Sequence, residues 1–253
     1  MKKYSVSAYS DRGDRRRDNQ DSIFSRQGTI CGHMAGLYIV ADGCGGLSNG
    51  AEVSGLITGS FSRVWNELMP ELLNEKRIRA EDVFLMLEEQ LDEINRKAVE
   101  FSRSVNKRCG STVSLLLLID RRYYIANIGD SRIYRLKGKK LEQLTEDQTV
   151  VSDLLRNGQI TEEEALVHKQ RHVLSMCMGY FDKLRVFRRE GRVRRHDMFI
   201  LCSDGLYNYA EAGDILDIAG SRADFDEAAA LMRFSIPEGK AGDNVSVIVV
   251  RYG

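Results

Sequence analysis

The chain has 253 residues, 37 basic against 37 acidic, with 43 % hydrophobic and 29 % charged side chains. This is ordinary for a globular protein, long enough for one large domain or two small ones. The balanced charge gives no global field that would argue for nucleic acid or an anionic membrane. The first residues, MKKYSVSAYSDRGDRRR, contain no apolar stretch of signal-peptide length, and the longest clean aliphatic run, 115–119, is far too short to span a bilayer. We expect a cytoplasmic protein with no membrane insertion and no nucleic-acid partner.

The five cysteines, at 31, 44, 109, 177 and 202, form no C-x-x-C pair. An odd, unpatterned set argues against a disulfide framework. Cys31 and His33 are the only near Cys–His pair, which is not the clustering zinc wants. With two prolines there is no Pro-rich linker, and 1–253 reads as one domain.

In chain order, β-type runs come first, at 4–9, 21–25 and 36–41. A glycine-rich turn leads into a helix from about Gly50 to Leu68. The clearest element is a helix from about Ala80 to Ser104, where Val83, Leu87, Leu91, Ile94, Ala98 and Phe101 recur at steps of four and three, one apolar stripe. A β meander follows at 111–120, 123–129, 131–136 and 141–144, with KGKK at 137–140 as a hairpin loop. Residues 147–168 turn polar and helical, and 170–179 fit no one pattern. Strands return at 183–193, 197–203 and 244–252, with helices near 211–219 and 224–234 between the last two. Such an order predicts layers of helix over sheet, and the short connections of the meander predict antiparallel pairing.

Five aspartates fall at strand ends. Asp42, Asp130 and Asp204 follow apolar strands, Asp21 opens one and Asp243 precedes the last; Gly43, Gly129, Gly205 and Gly242 stand beside four of them. Asp-Gly is by itself a turn signal, and turns collect aspartate. If the ends converge, however, the carboxylates repel strongly in low dielectric, and a cation is what makes the cluster tolerable. All-oxygen donors suit Mg²⁺ or Mn²⁺ rather than zinc or copper. Two such ions roughly 3.5–4 Å apart form a clamp for phosphoryl transfer.

Seven stretches carry a resemblance: RRRDNQDS (15–22), VADGCGG (40–46), CGSTV (109–113), ANIGDSRIYRL (126–136), LTEDQT (144–149), LCSDGL (201–206) and GDNVSVIVV (242–250). In this order the chain resembles the protein phosphatase 2C (PPM-type, metal-dependent) family over nearly its whole length, and most of all its compact bacterial members. The resemblance implies an α+β fold, a four-layer αββα sandwich of two mostly antiparallel sheets flanked by helices. It implies two Mn²⁺ or Mg²⁺ ions, with a third, weaker site. Asp42 would bridge the pair, the Gly43 carbonyl would bind one ion, and Asp204 and Asp243 the other. Asp21 would hold metal-bound water, and Asp130 with Asp204 would match the third site. Arg16, five residues before Asp21, falls where the family keeps a phosphate-binding arginine; Arg16, Asp21 and Asp42 would carry the catalysis. The segment from about 145 to 178 would correspond to a flap beside the cleft. The implied reaction is hydrolysis of phosphoserine and phosphothreonine on proteins by a hydroxide held between the ions, without a phosphoenzyme. An opposing Ser/Thr protein kinase would be the natural partner.

Two positions depart from the family pattern. Cys44 stands where relatives carry histidine or methionine, and Gln148 where they usually carry the histidine of D-H-S. Cys44 is assigned no catalytic role, and the place of Gln148 is in doubt. Other readings fare worse. LYIVAD followed by a glycine loop suggests a nucleotide site, but no G-x-x-x-x-G-K-[ST] or G-x-G-x-x-G occurs. No cysteine is followed by arginine in the C-x5-R spacing of a thiol phosphatase. A phosphoprotein-binding scaffold that kept the cleft without turnover stays as the rival of another class.

Overall fold

The computed structural model describes residues 4–45, 49–138, 140–220 and 225–253. Part of the predicted glycine-rich turn (46–48), Lys139 of the predicted hairpin loop and Asp224, the first residue of the last predicted helix, lie outside the described residues.

Eleven strands are described: β1 (Tyr4–Asp11), β2 (Asp21–Ile30), β3 (His33–Cys44), β4 (Gly110–Ser111), β5 (Val113–Ile119), β6 (Arg122–Ile128), β7 (Arg132–Lys137), β8 (Lys140–Gln143), β9 (Phe187–Arg192), β10 (Met198–Cys202) and β11 (Val245–Tyr252). One sheet runs β1-β11-β10-β7-β8 and the other β2-β3-β5-β6-β9, with the short β4 paired to β3. Every pairing is antiparallel, as the meander predicts.

The strands read as unbroken apolar runs because both faces of each sheet are covered. Alternate residues go to different layers. On β3, Leu37 and Ile39 pack under helices, while Tyr38 and Val40 face the other sheet. On β10, Phe199 and Leu201 face the β3 sheet, and Ile200 and Cys202 turn outward. The outer cover of the β3 sheet is α1 (Asn49–Arg63) and α3 (Ala80–Ser104). The other sheet is covered by α7 (Ala212–Gly220) and α8 (Ala228–Phe234). Three buried apolar clusters between four layers make the αββα sandwich.

The α3 stripe is placed as predicted: Val83, Leu87, Leu91, Ile94 and Ala98 are buried, and Phe101 is partly so. Other bounds differ. The predicted helix to Leu68 passes from α1 through a π turn (Val64–Leu68) into α2 (Met69–Leu73); Pro70 is tolerated because it stands in the first turn of α2. Residues 147–168 hold two short helices, α4 (Val150–Arg156) and α5 (Glu162–Val167). The Thr149 and Thr161 hydroxyls cap them by accepting from the amides of Ser152 and Glu164. The ambiguous 170–179 is a return strip, bridged at Thr149–Leu174 and Ser111–Met178.

The site is prepared by the inter-sheet layer itself. Along its length the inward-facing residues are apolar; at one end they become Asp21, Asp42, Ser114, Asn127, Ser203 and Ser246. These polar groups satisfy one another where they can: Ser114 Oγ donates to the Asn127 amide oxygen and to the Ser131 carbonyl, and the Ser246 amide donates to Ser203 Oγ at 3.0 Å.

Leu91 is fully buried under the β3 sheet and Leu85 on the same helix is 54 % exposed. Leu91→Ala is expected to cost about 2–5 kcal/mol in urea unfolding, and Leu85→Ala within about 0.5 kcal/mol. Equal costs for the two would contradict this placement of α3.

Candidate active site

Asp42-Gly43 and Asp204-Gly205 carry the local signal of a turn, and neither forms one. Asp42 and Gly43 continue β3, with Asp42 in register opposite Asp21. Asp204 and Gly205 open α6 (Asp204–Tyr207). Close approach is what demands the glycines. A Cβ on Gly43 would meet the Gln20 carbonyl oxygen at 2.4 Å, and one on Gly205 the Asn244 carbonyl oxygen at 1.9 Å. The two Asp-Gly pairs are where the backbone around Asp21 and Asp243 presses in.

Arg16, Asp42, Gly43, Asp130, Asp204 and Asp243 all line one cavity of about 580 Å³ at this end of the sandwich. Asp21 is buried behind them, its Oδ2 accepting from Ser203 Oγ at 2.8 Å. Arg16 Nη2 donates to Asp243 Oδ2 at 2.6 Å. All seven sequence-predicted positions thus come together.

Each acid has its own support. Thr112 clips Asp42: its amide donates to the Asp42 carbonyl at 2.9 Å, and its Oγ1 accepts from the Asp42 amide at 3.0 Å. Asp130 follows Gly129, whose amide donates to Gln148 Oε1 at 2.9 Å while the Gln148 amide returns a bond to the Gly129 carbonyl at 3.0 Å. Gln148 is buried, with Nε2 donating to the Arg185 carbonyl at 2.7 Å, so it fills a packing role at this position. Tyr207 donates its hydroxyl to the Asp130 carbonyl at 3.1 Å, under an Arg132 guanidinium 3.6 Å from its ring centre and forked onto Asp147. Asn244, in the GDNVSVIVV stretch, has no sequence signal of its own beyond its place after Asp243, and it is a main organiser: its Oδ1 accepts from the Gln20 amide, and its Nδ2 donates to the Arg12 and Asp18 carbonyls. Arg17 and His172 also line the cavity, and nothing in their sequence context singles them out. Cys44 is half-buried at the cavity wall. Both thiols are free, and the neighbouring Cys177 thiol together with burial pushes the Cys44 pKa up and keeps it protonated.

The cluster holds its protons tightly. Burial, with the Asp204 and Asp243 charges adding and the Ser246 and Ser203 hydroxyls opposing, brings Asp21 to about 7. Burial and then Asp204 and Asp147 bring Asp130 to about 7; burial and then Asp243 bring Asp204 to about 6. Asp42 is raised well above the carboxylate range by burial and then by Asp21, Asp204, Asp130 and Asp243.

These residues fit a divalent cation. The donors are hard oxygens, the carboxylates repel one another, and Asp21 Oδ1 is buried with no hydrogen-bond partner. Among the described residues no three acidic, histidine or cysteine side chains already close up into an ion cage; Asp243 is instead drawn to Arg16. The acids are poised around the cleft, and an ion would gather them.

The family profile described as Protein phosphatase 2C matches residues 12–237. The chain belongs to this family. A protein phosphatase 2C relative, the serine/threonine phosphatase Stp of Listeria welshimeri, is 30 % identical over 245 residues, covering 95 % of this chain and 93 % of its own. The solved S. agalactiae serine/threonine phosphatase superposes with a TM-score of 0.83 at 26 % identity, covering 98 % of each chain. The catalytic domain of the phosphatase PstP, solved in complex with two manganese ions, gives a TM-score of 0.81 at 25 % identity over 100 % of this chain and 99 % of its own. Catalysis in protein phosphatase 2C proteins depends on divalent metal, and the acidic cleft agrees with it. No helix among the described residues is long and apolar enough to cross a membrane.

The raised carboxylates set a pH dependence for the metal-free protein. Their folded pKa values exceed their unfolded ones, so their stabilisation is fully present below the ordinary value near 4 and is lost as pH rises through about 6 and about 7. In EDTA the thermal midpoint is expected to fall between about pH 5 and about pH 8, and Asp130→Asn to flatten that fall. Mn²⁺ at the upper pH should restore it. A fall of the same size in the variant would remove Asp130 as a cause.

Proposed function

We propose that this chain is a divalent-cation-dependent protein phosphatase that hydrolyses phosphoserine and phosphothreonine on proteins. The carrying observation is the single cavity that holds Arg16 with Asp42, Gly43, Asp130, Asp204 and Asp243. Two ions would be held by Asp42, the Gly43 carbonyl, Asp204 and Asp243, with Asp21 behind them orienting water. Mn²⁺ or Mg²⁺ suits these donors, and Asp130 with Asp204 would take a third, weaker ion. When bound, divalent ions of this kind lower the pKa of water and neutralise charge on phosphoryl oxygens.

The chain's own groups do the rest. Arg16 can fork onto two phosphoryl oxygens. Its guanidinium is paired with Asp243; with Asp243 engaged as a cation ligand, Arg16 would be free for phosphate, which would link cation loading and phosphate binding through one carboxylate. Among the described residues no side chain in the cleft is prepared as a nucleophile. Cys44 is held protonated, Cys202 is fully buried with its thiol pushed up to about 12, and the Ser203 hydroxyl donates a hydrogen bond to Asp21. This supports direct attack by water without a phosphoenzyme. We further place the enzyme in the cytoplasm, opposing a Ser/Thr protein kinase that makes its substrates.

Hydrolysis of p-nitrophenyl phosphate should require Mn²⁺ or Mg²⁺ and stop in EDTA, and Asp42→Asn and Asp204→Asn should each lower kcat at least about a hundredfold. Activity surviving in EDTA or in both variants would overturn the assignment. Tight phosphopeptide binding with no phosphate released would point to a scaffold instead.

A further inference from the structure

Arg233 does not line the catalytic cavity, yet its bonds lead to it. It lies in the last turn of α8, and its side chain is only 7 % exposed. Its Nε donates to Asp11 Oδ2 at 2.9 Å and Oδ1 at 3.2 Å, and its Nη2 to Asp14 Oδ1 at 2.9 Å. Asp11 is the last residue of β1 and also accepts from the Gly13 amide at 2.5 Å. Asp14 is stitched to the approach of β11: its amide donates to the Ala241 carbonyl at 2.8 Å, and its Oδ2 accepts from the Ala241 amide at 3.0 Å.

Two residues beyond Asp14 stands Arg16. The connection from β1 to β2 has no sheet ladder to hold it, so its shape depends on such side-chain bonds. Asn244 fixes its far side through the Asp18 carbonyl at 2.9 Å. Between the anchors at Asp14 and Asp18 lie only Arg15, Arg16 and Arg17. Three adjacent cations repel one another, and Arg16 is 56 % exposed with Asp243 as its one ion-pair partner among the described residues. The aim of Arg16 is therefore set by where Asp14 is held.

A buried guanidinium between two carboxylates is a weak device for stability, since well-packed apolar groups often serve as well. What a fork on two carboxylates gives is geometry. We propose that Arg233 is a positioning residue for the phosphate-binding guanidinium: by gripping Asp11 and Asp14 from the outer helix, it fixes the turn from which Arg16 enters the cleft. This rests on the role of Arg16 proposed above. Without Arg233 the two carboxylates, each part-buried on one turn, are left without their cation and push that turn apart.

The test is steady-state hydrolysis of p-nitrophenyl phosphate with Mn²⁺, together with inhibition by inorganic phosphate. Arg233→Met should raise both KM and the phosphate inhibition constant about tenfold, change kcat less than about threefold, and leave Mn²⁺ activation in place. Arg233→Lys, which keeps the charge and loses the fork, should recover part of the KM. In an Arg16→Ala background, Arg233→Met should add less than about a further twofold, because both act on one element. Factors that multiply in the double variant, or a fall in kcat with KM and phosphate inhibition unmoved, would overturn the positioning role alone. An Arg16→Ala enzyme with normal KM and phosphate inhibition would overturn the role of Arg16 and this inference with it. Should Arg233→Met fail to fold, Asp14→Asn, alone and with Arg16→Ala, is held to the same outcomes.

Discussion

Like charge held close is the constraint on which this molecule depends. Asp21 and Asp42 stand directly opposite in an antiparallel pair, an arrangement that disfavours two carboxylates. Asp130, Asp204 and Asp243 add to the same end. The raised pKa values of Asp21, Asp42, Asp130 and Asp204, the unpartnered oxygen of Asp21 and the pairing of Arg16 with Asp243 are three responses to that crowding. A divalent cation is the fourth, and the one that leaves the acids ionised and Arg16 free for substrate.

Such a cluster survives only if the chain cannot move away from it. The apolar layer between the sheets supplies that rigidity. Tyr38, Val40, Leu116, Leu118, Phe199, Leu201, Ile248 and Val250 are buried between the two sheets. A slip of one residue in any of these strands would turn its apolar set to the wrong face, so the register that puts Asp42 opposite Asp21 is set by packing remote from it. Thr112, Gln148 and Asn244 then tie the individual backbone segments, and the site inherits the precision of the core. The loop carrying Arg16 lacks this inheritance, which is why bonds from α8 matter to it.

Much of this was legible beforehand. The α3 stripe, the antiparallel meander and the order of the seven motifs led to the right layers, and all seven expected site residues meet in or behind one cavity. The misses have local causes. The hydroxyl caps at Thr149 and Thr161 were present as Thr…Ser and Thr…Glu spacings inside 147–168, but polar composition ran the two helices together. The π turn at 64–68 leaves no signature in side-chain pattern. Asp-Gly pointed to turns at 42 and 204, where the glycines instead make room for neighbouring backbone.

The sequence by itself determined the chemistry: hard oxygen donors at strand ends, one arginine spaced before them, and no thiol or hydroxyl with an activating partner. Side-chain type and period are enough for that, because each is a local property. Only the tertiary structure decided that Gln148 secures the Asp130 turn, that Cys44 lies beside Cys177 at the cavity wall, and that Arg233 reaches back across 219 positions to Asp14. Those are contacts between segments remote in the chain, and no local preference encodes them; they exist once the two sheets have closed on their common core.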